Sequence, residues 1–338
     1  PCSNWKDLDS MAEAAMAAVV HPANADPDRI GRFLEIFADR LDAKRAEIAR
    51  VAHEETGLPL ETRLAQIEFG RMLGQLRTAA SAARDVSLNS WRTPLIDTDS
   101  GIRSDFGPLG GAVLTIGPNN FPLAFHAVSG GDFAAAIAAG NPVIAKGHPL
   151  HPETGALLAG CAAEAVIEAG LHPATVQYFY QCDAEDGLRL VADQRIAAVG
   201  FTGSQAAGLS IKAAADSSGT PCFLEMSSVN PVFVLPSALA ERGAQIGGEW
   251  AASLMMGAGQ FCTKPGIAIL VGEGADPFVE ATASALREAA PGVLFSELGV
   301  ERLASGVDAV EAAGAEAPRE TRAPASNPPY WKWMEMTF

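Results

Sequence analysis

Three side chains in this sequence are of types that do chemistry and sit where chemistry is done: the thiol of Cys262 in "GQFCTKPG", the carboxylate of Glu225 in "FLEMSSVNP" and the amide of Asn120 in "IGPNNFP". A lone cysteine can be core filler, a metal ligand or a nucleophile. Cys262 follows Gly259 and Gln260 after a helical run and precedes Lys264 and Pro265, which lead into a strand, so a loop fits it better than a core. Attack requires the thiolate, and a free thiol with a pKa of ~8.5 is only slightly ionised at neutral pH; a nucleophile here needs a bound cationic ring or a backbone N–H to help it. Glu225 ends an apolar strand. Burial there would raise its pKa toward general-base range, unless it is a rim carboxylate paired with a lysine. Asn120 stands where a strand gives way to a helix, between Pro118 and Pro122. A rigid amide there can donate to a developing oxyanion, or simply cap the helix.

Other residues suit a phosphate-bearing ligand. No G-x-G-x-x-G opens the first strand–helix turn. Lys146, however, closes a strand in "PVIAKGH", where ribose or phosphate oxygens are met in open parallel sheets; a solvated lysine is the plainer alternative. "FTGSQAAG" brings Gly203, Ser204 and Gly208 to a strand–helix turn whose N–H groups and dipole suit a pyrophosphate. His148 and His151 are close in sequence, but with no third ligand evident and prolines holding the loop, no metal is expected.

These residues need a scaffold. Residues 26–84 carry apolar side chains at helical spacing among charges, and the Pro-, Gly- and Asp-rich stretch after them reads as short strands or an extended arm. From Leu109, short apolar strands alternate with helices through "GGAVLTIGP", "PVIAKGH", "TVQYFYQ", "AAVGFTG", "CFLEM" and "NPVFVLP". Continuous apolar strands separated by helices predict an α/β fold, a doubly wound parallel sheet covered on both faces. "FPLAFHAVSGGDFAAAIAAG" reads as one helix ended by Gly140, and "ETGALLAGCAAEAVIEAG" as one ended by Gly170. The divisions expected are 1–88, N-terminal helices; 89–108, an extended bridging arm; 109–235, a dinucleotide-binding core; 236–316, a partial second α/β domain with the cysteine loop; and 317–338, an atypical tail rich in proline and tryptophan.

Composition excludes several classes. The chain of 338 residues has 24 Lys plus Arg against 40 Asp plus Glu, a net charge of −16, which argues against a nucleic-acid partner. Its five cysteines are scattered with no C-x-x-C pair, so neither a disulfide framework nor a zinc site is expected and a reducing cytoplasm is the default. The opening "PCSNWKDLDS" does not read as a signal peptide, and the most apolar stretch is too short and too interrupted to span a bilayer.

Taken together, "GPNNFPLAF", "NPVIAKGHPLHP", "FTGSQAAG", "LEMSSVNP" and "GQFCTKPG" resemble, in the same order, motifs of the NAD(P)-dependent aldehyde dehydrogenase superfamily, over roughly the first residue to Gly314. The wording is most similar to the branch holding 2-oxoglutarate semialdehyde (2,5-dioxovalerate) dehydrogenases and NADP-dependent fatty aldehyde dehydrogenases. The resemblance implies an aldehyde dehydrogenase-like, Rossmann-type fold with a second catalytic domain. It implies Cys262 as nucleophile, Asn120 as oxyanion donor and Glu225 as general base. It implies Ile116, Gly117, Pro118, Lys146, Gly203, Ser204 and Gly208 as dinucleotide-binding residues, with a small aldehyde as substrate. Pro149 stands three residues after Lys146, where NAD-preferring relatives often carry a glutamate, so NADP is the expected cofactor with NAD possible. Only 76 residues follow Cys262, and a later glutamate-x-phenylalanine-glycine-proline motif is not found there. On that ground the catalytic domain is read as incomplete, cut short at its C-terminal end. The family's homo-oligomer is then doubtful for want of its C-terminal arm, and an inactive remnant that binds only the dinucleotide is the alternative to an enzyme.

Overall fold

The computed structural model describes residues 2–88, 90–290 and 292–315; the atypical tail expected at 317–338 lies outside the described residues. Two compact units divide after Met226.

In the first unit a short strand β1 (Cys2–Ser3) leads into helix α1 (Trp5–Val19). Asn4 caps that helix by accepting from the Lys6 and Asp7 N–H groups, while the Asp7 carboxylate accepts from the Asn4 N–H. Helix α2 (Pro27–Ala43) starts on the Asp26 cap, with proline at its first position. Helix α3 (Arg45–Thr56) ends on Gly57 at φ 68°, a left-handed conformation natural to glycine. A π-helical stretch, Leu60–Glu68, then runs into α4 (Phe69–Arg84). Phe33, Phe37 and Leu41 of α2 and Phe69, Met72 and Leu76 of α4 are fully buried, as the helical spacing of the apolar residues dictates. A hairpin of β2 (Leu95–Asp97) and β3 (Ile102–Ser104) follows, antiparallel and exposed.

The sheet is built from β4 (Ala112–Ile116), β5 (Val143–Lys146), β6 (Val176–Phe179), β8 (Ile196–Gly203) and β9 (Cys222–Met226), while β7 (Gln181–Cys182) pairs with β1. Strand order is β6-β5-β4-β8-β9, parallel throughout. The chain winds outward from β4 through β5 and β6, then returns to lay β8 on the other side of β4. That reversal places a crevice at the carboxyl ends of β4 and β8. The crossovers are helical: α5 (Gly131–Ala138), α6 (Pro152–Ala169), α7 (Ala184–Val191) and α8 (Gln205–Ser218). One core joins Leu114, Ile144, Val199 and Phe201 of the sheet to Leu8 and Ala12 of α1, Leu190 of α7 and Ile211 of α8. Phe133 of α5 packs edge-on against Phe33 and Phe37.

Two elements differ from the sequence reading. The helix expected from Phe121 to Gly140 begins only at Gly131, and residues 121–129 are turns. The reason is local. Side chains take up the backbone groups that a helix would pair: Glu68 accepts from the Leu123 and Ala124 N–H groups, Ser129 donates to Leu123 O and Thr115 to Ala127 O. The apolar run "PVFV" falls within the core expected at 109–235, but β10 (Pro231–Val234) lies in the second unit and pairs in parallel with β11 (Ile267–Leu270). An apolar run shows that a strand is buried on one side, not which strand it joins.

In the second unit α9 (Pro236–Met255) and α10 (Asp276–Glu288) cover one face of that pair, joining Leu239 and Phe278 to Val234. Gly247 makes the helix contact possible, since a Cβ there would stand 2.4 Å from Phe278 O. Helix α11 (Glu297–Ala312) follows, capped by Ser296. Among the described residues, no helix is long and apolar enough to cross a membrane.

Candidate active site

Strand register brings several of the sequence-singled residues to one edge. Ile116 is the last residue of β4; it pairs with Lys146 at the end of β5 and with Phe201 of β8. Gly203 ends β8 and Ser204 caps α8, accepting from Ala207 N–H at 3.4 Å. The carboxyl ends of neighbouring parallel strands therefore present a lysine, a glycine turn and a helix N-terminus side by side. This is the arrangement at which open α/β sheets take anionic ligands. Gly208 is buried within α8, where a Cβ would meet Met226 Sδ at 2.5 Å; its lack of a side chain lets the helix seat on β9.

Lys146 is half-buried, and burial lowers the pKa of its ammonium. Its hydrogen bond among the described residues goes to Gly147 O at 3.1 Å, so donors remain for an incoming oxygen. Beside it, His126 and His151 are buried and His148 half-buried. Their Nδ1 or Nε2 atoms are committed locally. His126 Nδ1 accepts from Val128 N–H, His148 Nδ1 accepts from Leu150 N–H, and His151 Nε2 donates to Pro118 O. Burial keeps all three neutral, holding His148 down at about 3. Among the described residues, no group of three His, Cys, Asp or Glu is placed to hold a metal ion. Pro149 is exposed, and the nearby Glu55 carboxylate is committed to the first turn of α6, accepting from Glu153 N–H, Thr154 N–H and Thr154 Oγ1.

Gly117, Pro118 and Asn120 follow β4 and lead into the turns that replace the expected helix start. A buried ion pair that sequence reasoning missed fixes this loop. Arg63, in the π-helical stretch, donates to Asn120 O at 2.9 Å, stacks over the Phe121 ring at 4.1 Å and lies 3.0 Å from the Glu68 carboxylate. Glu68 is fully buried; burial pushes its carboxyl up to about 6, against the pull of Arg63 and of the two N–H groups it accepts. No sequence signal joins these residues, which lie 55 to 57 positions apart from their partners.

Glu225 is on β9, paired with Thr202, and it is exposed rather than desolvated. The cause is geometric. β9 is an edge strand whose Cys222, Leu224 and Met226 pack on the core, while Phe223 and Glu225 point to the other face.

Cys262 belongs to the second unit and sits half-buried in a loop, as its neighbours indicated. Before it, Gly257, Ala258 and Gly259 are all left-handed, at φ 60°, 55° and 71°. Gln260 then anchors the turn, donating to Val293 O at 2.9 Å and accepting from Phe295 N–H at 3.1 Å. After it, the Asn230 side chain donates to Cys262 O at 2.8 Å and Lys264 O at 2.9 Å.

Residues 1–299 match the model of the aldehyde dehydrogenase family. The chain is 36% identical over 317 residues to the alpha-ketoglutaric semialdehyde dehydrogenase of Acinetobacter baylyi, covering 90% of this chain and 58% of that protein. It is 39% identical over 277 residues to alpha-ketoglutaric semialdehyde dehydrogenase 2 of Azospirillum brasilense, covering 78% of this chain and 51% of that one. The chain thus spans little more than half the length of these relatives. Its fold is similar to the crystal structure of an NAD-dependent aldehyde dehydrogenase from Sinorhizobium meliloti, with a TM-score of 0.77 at 23% identity over 94% of this chain and 63% of that one.

Proposed function

Because the chain belongs to the aldehyde dehydrogenase family, we propose that it carries the cofactor-binding and nucleophile-bearing part of an enzyme that oxidises a semialdehyde to its carboxylic acid with a nicotinamide dinucleotide. The observation that carries the reading is the strand register that sets Ile116, Lys146 and Gly203 at one sheet edge, with the α8 N-terminus beside them. These residues fit the dinucleotide. Lys146 has spare donors, the Ser204 turn offers N–H groups to a pyrophosphate, and Ile116, Gly117 and Pro118 lie at and just after the end of β4, between β5 and β8. Gly208 contributes by letting α8 pack closely. When bound, the dinucleotide supplies the two-electron acceptor.

The chain's own residues do the rest. The Cys262 thiolate adds to the aldehyde carbon, forming a C–S bond and an oxyanion, which the Asn120 amide and the Cys262 N–H hold. Loss of the former aldehyde hydrogen with its electron pair leaves a thioester on Cys262. Glu225 takes a proton from water as the water oxygen attacks that thioester, the C–S bond breaks to give the acid and the Cys262 thiolate, and Glu225 releases its proton to solvent. An exposed Glu225 suits a base that must exchange its proton with solvent. Similarity to the two alpha-ketoglutaric semialdehyde dehydrogenases supports 2-oxoglutarate semialdehyde as substrate. With Pro149 three residues after Lys146 and the Glu55 carboxylate engaged by α6, NADP is accepted at least as well as NAD.

The test mixes the purified chain with 2-oxoglutarate semialdehyde and either dinucleotide and follows the reduced cofactor by absorbance. Glu225→Gln is expected to stop at an acyl adduct on Cys262, read as a mass increase. A chain that binds dinucleotide but forms neither product nor adduct would overturn the enzymatic reading.

A further inference from the structure

We propose that Asn230 is a positioning residue for the nucleophile, setting the shape of the Cys262 loop from 32 residues away; this rests on reading Cys262 as the nucleophile. Two independent features of Asn230 converge. Its backbone is left-handed at φ 51°, a conformation that asparagine tolerates better than other side-chain-bearing residues. In that pose one amide nitrogen donates to two carbonyls of the loop, those of Cys262 and Lys264, at 2.8 and 2.9 Å. Non-glycine residues held at such angles are maintained by their surroundings and concentrate at functional sites. Here what maintains the conformation is the loop itself.

The neighbouring backbone completes the lacing. Val229 O accepts from Gly266 N–H at 2.7 Å, and a Cβ on Gly266 would stand 2.4 Å from that oxygen, so the two segments approach as only glycine permits. With Gln260 tied to Val293 and Phe295 on the other flank, the loop is anchored both before and after the cysteine. Fixing the carbonyl that follows the Cys262 Cα settles the adjacent peptide plane. The direction of the sulfur is then left mainly to one side-chain torsion. Alanine or leucine at position 230 would leave two loop carbonyls without that donor and would add backbone strain as well.

The test uses the full chain with Asn230→Gly, which keeps the left-handed backbone and removes only the amide. Hydrogen exchange of residues 261–266 is expected to quicken at least tenfold while β10 and β11 stay within twofold. Iodoacetamide labelling of Cys262, read by mass spectrometry against Cys222 in the same molecule, is expected to quicken at least fivefold. Smaller changes, or exchange rising equally in both strands, would overturn the proposal by making Asn230 an ordinary structural contact. Should the glycine variant not fold, Asn230→Asp preserves size and left-handed tolerance while removing the donor, and is read by the same criteria. Neither readout involves an aldehyde. A wild-type chain that oxidises nothing therefore counts against the proposed function alone. In an active chain kcat is expected to fall at least tenfold with the dinucleotide Kd unchanged, and an unaltered kcat would overturn the positioning role.

Discussion

The two units solve the same problem to different degrees. In the first, a five-stranded parallel sheet has helices on both sides, and its central strands are buried almost throughout. In the second, a two-stranded parallel pair is covered on the face of Val232, Val234, Ala268 and Leu270, while Phe233 and Ile267 on the other face are 62% and 49% exposed. Parallel sheets are ordinarily buried on both faces, because their crossovers lay helices over each side. The contrast teaches where each function can reside. The residues proposed to bind the dinucleotide sit on a frame that is packed through, whereas the loop of the proposed nucleophile is held by discrete hydrogen bonds from Asn230 and Gln260.

Four measurements sharpen that contrast. Cys262→Ser, in the second unit, should cut aldehyde oxidation by ~10⁴ or more, the scale seen when a nucleophile is removed, while dinucleotide binding stays within twofold by fluorescence titration. Equal loss of binding would show that the units do not divide the work. In the first unit, Phe133→Ala should lower unfolding free energy by about 3–5 kcal/mol in urea. The corresponding change at the exposed Phe233 should stay within about 0.5 kcal/mol, and a matching loss there would mean its face is covered in solution. Lys146→Ala should weaken dinucleotide binding ~10- to 100-fold, the range of a charge-assisted hydrogen bond, and leave Cys262 labelling unchanged.

Acidification is the mildest probe. All six histidines precede residue 227, so only the first unit carries them. Unfolding lets His126, His148 and His151 take up protons near pH ~6.5, whereas the fold holds their pKa values below that. Their contribution is therefore complete above ~6.5 and is lost as the pH falls below it, for His148 down through about 3, by up to about 1.4 kcal/mol per pH unit for each. Glu68 acts in the opposite sense. Its raised pKa contributes below ~4.5 and is lost as the pH rises through about 6, and one carboxyl does not outweigh three imidazoles. The first unit should melt at lower temperature at pH 5 than at pH 7, and His148→Asn should flatten that slope. A rise in melting temperature on acidification would put the balance the other way.

Much of the scaffold was legible because its signals are local. Apolar runs mark β4, β5, β6 and β8, and glycine at 170 marks the end of α6, which it closes in the left-handed conformation at φ 69°. The neighbours of Cys262 pointed to a loop, and a loop it occupies. What escaped the sequence is what depends on distant partners. The Arg63–Glu68 pair that holds the turns after β4, the Glu55 cap on α6 and the Asn230 tie each join residues tens of positions apart. The sequence leaves Glu225 open between a buried carboxylate and a rim one, and the structure exposes it. Its exposure follows from β9 standing at the sheet edge, which no window of residues reveals. Helix α11 also escaped, although Val300, Leu303, Val307 and Val310 recur at helical spacing; none of its residues is buried.

Ala258 carries a methyl group at φ 55°, flanked by two glycines in the same conformation and four residues before the sulfur. A methyl there is disfavoured by roughly 1–2 kcal/mol relative to the ordinary right-handed well. The turn is thus wound slightly against its preference, like a latch under light tension. Exchanging that alanine for glycine would let the segment relax, and the Cys262 thiol would be left on a slacker hinge in a protein that unfolds no more easily.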